Sequence, residues 1–404
     1  MLFDAKSFSF FRLKESEKME QVKSVYIHIP FCQQICHYCD FVKFFYNEKL
    51  ATEYLYALEN EINENIKGRK NKVRTLYIGG GTPTALNLKQ LRFLLTIIDK
   101  KFDVASCEEY TIEVNPGDID EEKTKLLKDY GITRISFGVQ VMDDTLLKEL
   151  GRVHRVRDVY HTVDLLNRQQ FTNISLDLMY ALPNQTVEQF KTSLNAALSF
   201  NLPHYATYGL QIEPKTIFYL RHRKGLLPRP TEDDEVRMYE LLKETMRKNG
   251  IRQYEISNFA KPGYESKHNL TYWSNGFYYG FGAGAHGYLP GKRIINLRPL
   301  PAYVKKAMED GKPVLQTEEI TLRENVEEEV FLGLRKLEGI NKRQFLNKFG
   351  FSIDVLYKRE LESLTESRLL DVGDEYVRLT DEGMLLANVV FEKFMIEEKD
   401  LLRV

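Results

Sequence analysis

Four cysteines, a single tryptophan and a net charge close to zero set the first limits on this chain of 404 residues. No apolar segment approaches the roughly 20 residues that a membrane-spanning helix needs. The formal net charge of -1 provides no electrostatic basis for binding a nucleic-acid backbone. The N-terminus mixes Phe with Lys and lacks a small-residue cleavage site, which argues against a signal peptide. We therefore expect a cytoplasmic protein in which residues 1–20 form a disordered extension.

Three of the four cysteines lie within one short stretch. Cys32, Cys36 and Cys39 have the spacing C-x3-C-x2-C and directly follow the apolar segment Val25–Ile29. Thiolates are the usual protein ligands of iron–sulfur clusters. Three thiolates can bind three irons of a [4Fe–4S] cluster and leave the fourth iron open to a small molecule.

Zinc is the alternative occupant of this stretch. A structural zinc site needs four ligands, and His28 and His37 could complete such a set. His37 is otherwise expected to tune or shield the cluster. The fourth cysteine, Cys107, is distant in the sequence, so we expect a core thiol there and no disulfide framework.

Short β-rich segments alternate with helical patterns in the first half of the chain. This alternation predicts a parallel sheet with right-handed crossovers. Glycines and polar residues follow the end of one strand after another, as in barrels whose site lies at that face. We predict an α/β fold with a partial (β/α)6 barrel over residues 21–232, and an open doubly wound sheet is the alternative. The predicted strands are Val25–Ile29, Val73–Ile78, Glu109–Val114, Arg134–Val139, Ile174–Met179 and Tyr205–Gln211.

The pattern changes after the predicted barrel. Residues 233–320 predict an α/β extension that contains a Gly- and aromatic-rich segment, Tyr264–Asn296. Residues 321–404 predict a winged-helix-like domain, in which a wing strand, Tyr376–Thr380, precedes a helix, Asp381–Met395. Acidic residues outnumber basic ones over 340–404, so we expect a structural or partner-binding use of this domain and no nucleic-acid binding.

Seven motifs connect the chain to a known family. The cysteine spacing, with the aromatic Tyr38 before the last cysteine, resembles the signature of radical S-adenosylmethionine proteins. With the further motifs, residues 20–400 resemble the oxygen-independent coproporphyrinogen III oxidase group and, within it, the HemW-type heme chaperones. These motifs are Tyr26-Ile-His-Ile-Pro30, Gly79-Gly-Gly-Thr-Pro-Thr84, Glu113-Val-Asn-Pro116, Ser136-Phe-Gly-Val-Gln140, Leu150-Gly-Arg-Val-His154 and Asp177-Leu-Met-Tyr-Ala-Leu-Pro183.

The resemblance implies that S-adenosylmethionine chelates the open iron through its amino and carboxylate groups. In this family, reduction of the cluster splits the C–S bond of that cofactor and gives a 5′-deoxyadenosyl radical. The resemblance places Tyr26 beside the adenine and the Gly-rich turn at the methionine end, and it leaves His154 structural. The residues expected to bind the cofactor are Tyr26, Tyr38, Gly80, Gly81, Thr82, Glu113, Gln140, Arg152 and Asp177.

Two features distinguish the chaperones from the oxidases. The oxidases continue the cluster loop as Cys-x-Cys, whereas this chain reads Cys39-Asp40-Phe41 and so has Phe41 in place of the second cysteine. The chaperones carry His-Asn-x-x-Tyr-Trp, which His268–Trp273 reproduces. Imidazole is a common axial ligand of heme iron, and aromatic rings can cover the macrocycle.

The resemblance therefore implies heme contact by His268, Asn269, Tyr272 and Trp273. Direct ligation of the iron by His268 is left open, and a core histidine among aromatics of the barrel floor is the alternative. His286 is a second candidate in a Gly-rich setting typical of a turn.

We thus predict a heme chaperone that carries a [4Fe–4S] cluster and S-adenosylmethionine and passes heme to acceptor proteins. Proteins of the respiratory chain are the first candidates for these acceptors. Peripheral membrane association and a homodimer are left open. The alternative is an oxidase that converts two propionates of coproporphyrinogen III to vinyl groups, although we expect no such activity. Radical heme degradation or methyl transfer is a third option without a distinguishing residue.

Overall fold

The computed structural model describes residues 22–396. The predicted extension over residues 1–20 lies outside this range. The strands are β1 Ser24–Ile29, β2 Phe31–Cys32, β3 Phe44–Phe45, β4 Thr75–Gly80, β5 Glu109–Val114, β6 Arg134–Gln140, β7 Ile174–Tyr180, β8 His204–Gly209, β9 Arg252–Gln253, β10 Asn258–Ala260, β11 Tyr278–Phe281, β12 His286–Leu289, β13 Lys292–Asn296, β14 Val314–Glu319, β15 Ile340–Asn341, β16 Leu370–Val372 and β17 Tyr376–Leu379.

Helices follow most of the barrel strands and make up most of the C-terminal region. They are α1 Glu48–Asn65, α2 Leu88–Lys101, α3 Glu121–Asp129, α4 Asp144–Glu149, α5 Val156–Arg168, α6 Val187–Leu198, α7 Ile217–Arg223, α8 Glu232–Lys248, α9 Lys267–Trp273, α10 Leu300–Asp310, α11 Leu322–Gly333, α12 Lys342–Phe349, α13 Ile353–Leu356, α14 Lys358–Glu366, α15 Asp381–Leu385 and α16 Ala387–Glu392. Two short 3-10 helices span Pro83–Ala85 and Val104–Ser106.

Twelve strands form the main sheet, in the order β14-β13-β12-β11-β1-β4-β5-β6-β7-β8-β10-β9. The seven strands from β11 to β8 run parallel to one another. All seven residues of β6 are buried, as expected for a parallel sheet that is covered on both faces. The six predicted strands correspond to β1 and β4–β8, and the predicted α/β fold with a partial barrel is confirmed.

Local sequence signals determine where the crossover helices begin. Asn87 accepts a hydrogen bond from the backbone N–H of Gln90 at the start of α2, and the Gln90 side chain accepts one from the backbone N–H of Asn87. Thr186 and Gln189 make the same reciprocal pair at the start of α6. Such capping boxes satisfy backbone donors that a helix would otherwise leave unpaired.

The segment after the barrel returns to the first strand. In β11, Tyr279 pairs with Val25 of β1 in parallel register, and the antiparallel strands β12 to β14 extend the sheet from there. Buried Glu61 of α1 ties this extension to the barrel, since its carboxylate accepts hydrogen bonds from the backbone N–H of Gly282 and from the Asn296 amide. The Gly-rich segment is therefore part of the same sheet as the barrel.

The C-terminal region has a three-stranded sheet, β15-β17-β16, and a hydrophobic core of its own, as predicted for a winged-helix-like fold. The single helix predicted over Asp381–Met395 is wrong. It is divided into α15 and α16 because Leu386 has non-helical backbone angles of φ -111° and ψ 25°. The domain boundaries near residues 232 and 320 stay predictions.

Candidate functional site

The cysteine stretch covers the carboxyl ends of the barrel strands. It leaves β1 through β2, and the parallel pairing of Phe31 with Phe44 closes the loop at its base. Cys32 is buried, whereas Cys36 and Cys39 are partly buried, and all three are free thiols. The structure therefore places the predicted cluster ligands on one closed loop at the face where a barrel site is expected.

The loop is anchored to the barrel by His37. The His37 backbone N–H donates to the carbonyl of Leu150 at 2.9 Å, and the His37 carbonyl accepts from Phe218 of α7 at 3.0 Å. The ring Nδ1 donates to the carbonyl of Glu149 at 2.8 Å. A Cβ on Gly151 would lie 2.8 Å from the His37 ring, so glycine allows this close approach.

The Cys32 sulfur lies against the Gly-rich turn after β4. The Thr82 hydroxyl is 3.8 Å from this sulfur, and a Cβ on Gly81 would come within 3.0 Å of it. Burial raises the pKa of Cys32 to about 12, so the metal-free thiol is protonated at neutral pH. A bound metal cluster supplies the positive charge that keeps such a sulfur as thiolate. The residues present therefore fit an iron–sulfur cluster.

The described residues do not form the set of ligands that a zinc site would need. Within residues 22–396, no three His, Cys, Asp or Glu side chains are arranged to bind one metal ion. His28, a candidate fourth ligand, donates from Nε2 to the carbonyl of Val42 at 2.7 Å and accepts at Nδ1 from the Tyr26 hydroxyl at 2.9 Å. A cluster allows its cysteines to lie farther apart, because each thiolate binds a different iron.

Two half-buried carboxyl groups lie on neighbouring parts of the sheet: Glu113 near the end of β5 and Asp177 in the middle of β7. The Tyr77 hydroxyl donates to Glu113 at 2.8 Å, and the Gly80 backbone N–H donates to it at 3.0 Å. Burial raises the pKa of Glu113 to about 7. Burial and the neighbouring Glu113 raise the pKa of Asp177 to about 8, while the Ser136 hydroxyl lies 3.4 Å from this carboxyl group. A positively charged ligand beside these groups would stabilise their ionised forms.

Arg152 connects the cluster loop with the carboxyl ends of the strands. It donates to the Tyr38 hydroxyl at 2.8 Å and to the Asn115 side chain at 2.9 Å, and Asn115 donates to Thr82 at 2.7 Å. The Nε of Arg152 is buried without a hydrogen-bond partner among the described residues. A ligand with an acceptor oxygen could satisfy this donor. Asn115 was not among the predicted site residues, although it lies inside the Glu113-Val-Asn-Pro116 motif.

Gln140 ends β6 in a conformation that non-glycine residues seldom adopt. Its φ is 73°, and the sheet register shifts between Gly138 and Gln140. The Tyr208 hydroxyl donates to its side-chain oxygen at 2.9 Å. Strained backbone of this kind is concentrated at functional sites. Tyr208 was also missed, because only its position at the end of β8 indicated it.

An aromatic row fills the barrel behind these residues. The Tyr26 and Tyr77 rings stack with centroids 6.1 Å apart, and Tyr77 stacks on His268 at 5.1 Å. His268 is 1% exposed. Its Nδ1 is 2.8 Å from the Thr75 hydroxyl, and its Nε2 is 2.8 Å from the Tyr272 hydroxyl. Burial lowers the pKa of His268 to about 3.

The structure does not bring the four predicted heme contacts together on one surface. His268 lies inside the barrel, as the core alternative implies. Tyr272 reaches a cavity beside the cluster loop. Trp273 faces Arg335, in the turn that follows α11, with the guanidinium carbon 4.5 Å from the ring centroid. Asn269 contributes a backbone N–H to the Ser266 cap of α9. Heme contact by this set therefore stays a prediction.

Comparison with known proteins identifies the family. Residues 26–197 match the model of the Radical SAM superfamily, and residues 320–386 match that of the HemN C-terminal domain. The heme chaperone HemW of Bacillus subtilis (strain 168) is 48% identical over 378 residues, which cover 93% of this chain and 100% of that protein. This chain belongs to the HemW family. The HemW proteins of Lactococcus lactis subsp. lactis (strain IL1403), at 44% identity over 94% of this chain and 99% of that protein, and of Escherichia coli (strain K12), at 32% over 93% and 98%, support the same assignment.

A solved structure shares the fold of this HemW-family chain. The radical SAM enzyme coproporphyrinogen III oxidase HemN from Escherichia coli superimposes with a TM-score of 0.81, covering 97% of this chain and 95% of that chain. The sequence identity is 22%, so this likeness concerns the fold alone. The predicted radical-SAM architecture is thereby confirmed. Among residues 22–396, no helix combines the length and the apolar character needed to cross a membrane.

Proposed function

We propose that this chain is a heme chaperone, which binds heme and transfers it to acceptor proteins. The observation that carries this proposal is the 48% identity to the heme chaperone HemW of Bacillus subtilis over the whole of that protein. The sequence features that distinguish chaperones from oxidases agree with it. Phe41 stands where the oxidases carry a further cysteine, and the His-Asn-x-x-Tyr-Trp motif is complete.

Cys32, Cys36 and Cys39 would hold a [4Fe–4S] cluster. Such a cluster would offer an open iron to the amino and carboxylate groups of S-adenosylmethionine and would supply the electron for reductive cleavage of that cofactor. The chain's own residues would bind and orient that cofactor. Glu113 and Asp177 would accept hydrogen bonds from a cationic ligand, while the Nε of Arg152, which has no partner among the described residues, would donate to its carboxylate. Tyr26, Tyr38, Gly80, Gly81, Thr82 and Gln140 complete the proposed pocket.

The partners follow from the chemistry of heme delivery. Heme-accepting proteins are the expected partners, and those of the respiratory chain are the first candidates. A peripheral contact with a membrane, where such acceptors reside, and a homodimer are compatible with this role. Reduced thiols are needed for cluster assembly, which favours a cytoplasmic location.

The deciding experiment compares chaperone and oxidase activity in one sample. The protein is reconstituted anaerobically with iron and sulfide and is supplied with S-adenosylmethionine and a reductant. One portion is incubated with coproporphyrinogen III, and protoporphyrinogen is measured. A second portion is loaded with hemin and mixed with apomyoglobin, and transfer is followed by absorbance. We expect heme uptake and transfer with little or no vinyl formation. Robust vinyl formation would replace the chaperone with the oxidase.

A further inference from the structure

A cavity of about 270 Å³ lies between the cluster loop and the Gly-rich extension. Three tyrosines, Tyr26, Tyr272 and Tyr278, contribute to its lining. Phe41, on the cluster loop, also lines the cavity and is 62% exposed, so the cavity reaches the surface. Aromatic walls with an open side suit a flat, mostly apolar ligand that inserts one edge.

Two histidines line this cavity, and His286 is the one whose ring nitrogens have no hydrogen-bond partner among residues 22–396. It is exposed at the start of β12, and its imidazole makes no hydrogen bond or ion pair with any residue between 22 and 396. The other lining histidine, His28, uses both ring nitrogens in hydrogen bonds. His268, behind the wall, does the same. Partial burial and the nearby Arg298 lower the pKa of His286, which favours the neutral imidazole that binds a metal.

Arg298 gives the cavity a free positive charge. It is exposed and, in the described part of the chain, has no carboxylate partner within salt-bridge distance. The neighbouring Arg293 is different, because it is paired with Glu328 at 2.9 Å. An unpaired guanidinium at the rim of an aromatic cavity matches a ligand that combines an apolar body with a carboxylate.

We propose that this cavity is the heme site, with His286 as an axial ligand of the iron and Arg298 as the partner of a propionate. This inference rests on the proposed heme chaperone function and names the residues that would perform it. A single imidazole at an open rim leaves the other face of the iron accessible to an acceptor protein. Such a site can release its cargo by ligand exchange, which a fully enclosed heme pocket would hinder.

The His-Asn-x-x-Tyr-Trp motif has a positioning role in this arrangement. Tyr272 contributes to the cavity wall, and His268 holds its hydroxyl from behind at 2.8 Å. The Tyr272 ring also packs edge-on against Tyr278, with centroids 4.7 Å apart. Loss of His268 would therefore change the wall of the cavity without removing an iron ligand.

The test compares two ligands that differ only in iron. Hemin and metal-free protoporphyrin IX are titrated into the full-length chain, and affinity and the Soret band are recorded for wild type, His286→Ala and Arg298→Gln. Protoporphyrin IX has the propionates and no iron, so His286→Ala should weaken hemin binding, shift the hemin Soret band and leave protoporphyrin binding unchanged. Arg298→Gln should lower the affinity for both ligands by about ten-fold, which corresponds to the loss of one charge-assisted hydrogen bond.

Matched controls separate these effects from folding. His161→Ala removes an exposed histidine of α5, and Arg323→Gln removes an exposed arginine of α11; both should bind like wild type. His286→Met retains a side chain able to bind iron and should shift the Soret band with a smaller loss of affinity. Wild-type hemin affinity and an unshifted band in His286→Ala would overturn this site and leave the chaperone proposal standing. Absence of hemin binding by the wild type would overturn both.

Discussion

The hydroxyl of Thr75, at the first residue of β4, lies 2.8 Å from Nδ1 of His268. Because Thr75 donates its own proton to Ser24, the histidine donates from Nδ1, and its Nε2 accepts the proton of Tyr272. The lone pair that would bind iron is thus occupied by a hydroxyl. His268 ties helix α9 to the amino ends of the barrel strands, whereas the cysteine loop covers their carboxyl ends.

His268→Ala should therefore reduce stability. The substitution leaves a cavity, removes the acceptor of the Tyr272 hydroxyl and removes one of the two hydrogen bonds of the Thr75 hydroxyl, which together costs about 3 kcal/mol. Urea unfolding measures the loss, with His161→Ala as the control that should change little. Tyr272→Phe distinguishes a structural role of His268 from ligation of heme iron, since it removes only the hydroxyl that occupies Nε2 of His268. An undiminished stability of His268→Ala combined with a changed heme spectrum would identify His268 as a heme ligand after all.

The three loop cysteines should each be needed for the cluster. Replacing Cys32, Cys36 or Cys39 by Ala removes one thiolate, and iron and sulfide per chain after anaerobic reconstitution should fall strongly. Cys107→Ser is the matched control, because this partly buried cysteine follows the 3-10 helix Val104–Ser106 and, among the described residues, its thiol donates a hydrogen bond only to the Asp103 carbonyl, at 3.7 Å. Unchanged iron in Cys36→Ala would contradict the assignment.

Gln140 and Asp177 should contribute to cofactor binding without holding the cluster. Gln140→Ala or Asp177→Ala should weaken S-adenosylmethionine binding by about 1–3 kcal/mol, the cost of a lost partner at a buried polar group. Calorimetry on the reconstituted protein gives the affinity, and the iron content should equal that of wild type. Gln344→Ala, at an exposed position of α12, serves as the control. Wild-type affinity in both variants would remove these residues from the pocket.

Glu61 should make the stability of the protein depend on pH. Burial raises its pKa from 4.5 to about 7, although Tyr303, the Gly282 backbone and Asn296 donate to it. The folded state therefore holds a proton that the unfolded state releases, so the contribution is present below pH 4.5 and is lost as the pH rises to 7. The loss is about 3 kcal/mol at most.

Urea unfolding at pH 5 and pH 7.5 measures this dependence. Glu61→Gln cannot ionise, so its stability should fall less than that of wild type between the two values. Glu53→Gln, an exposed position on the same helix, should follow the wild type. Equal pH dependence in wild type and Glu61→Gln would show that Glu61 is ionised in the folded protein.

The barrel could be predicted because its signals are local. The strand Glu109–Val114 has the predicted bounds, since its pattern of apolar residues is defined within a few positions. The pairing of β11 with β1 could not be predicted, because it joins segments about 250 residues apart and has no local signature. The division of the predicted helix into α15 and α16 at Leu386 also has no local signature, because the helical pattern of apolar residues continues through this position.

The site residues divide in the same way. Glu113 and Asp177 could be named as candidate site residues because they belong to short sequence motifs that resemble those of a known family. The partners of His268 were not predictable, because Thr75 is 193 residues away and the contact exists only in the folded barrel. A sequence pattern can name a histidine, but whether its lone pair is available depends on hydrogen bonds that the fold alone provides.

Strand β1 contributes to both proposed ligand sites, since Tyr26 lines the cavity and the strand leads directly into the segment that carries Cys32. Gly284 extends this connection, because a Cβ there would come 2.5 Å from Val42 of the cysteine loop. Two ligands bound on one rigid element obey thermodynamic linkage. Whatever factor S-adenosylmethionine applies to the affinity for heme, heme must apply the same factor to the affinity for S-adenosylmethionine. In such a carrier, a single coupling free energy would determine how bound S-adenosylmethionine changes the affinity for heme and how bound heme changes the affinity for S-adenosylmethionine.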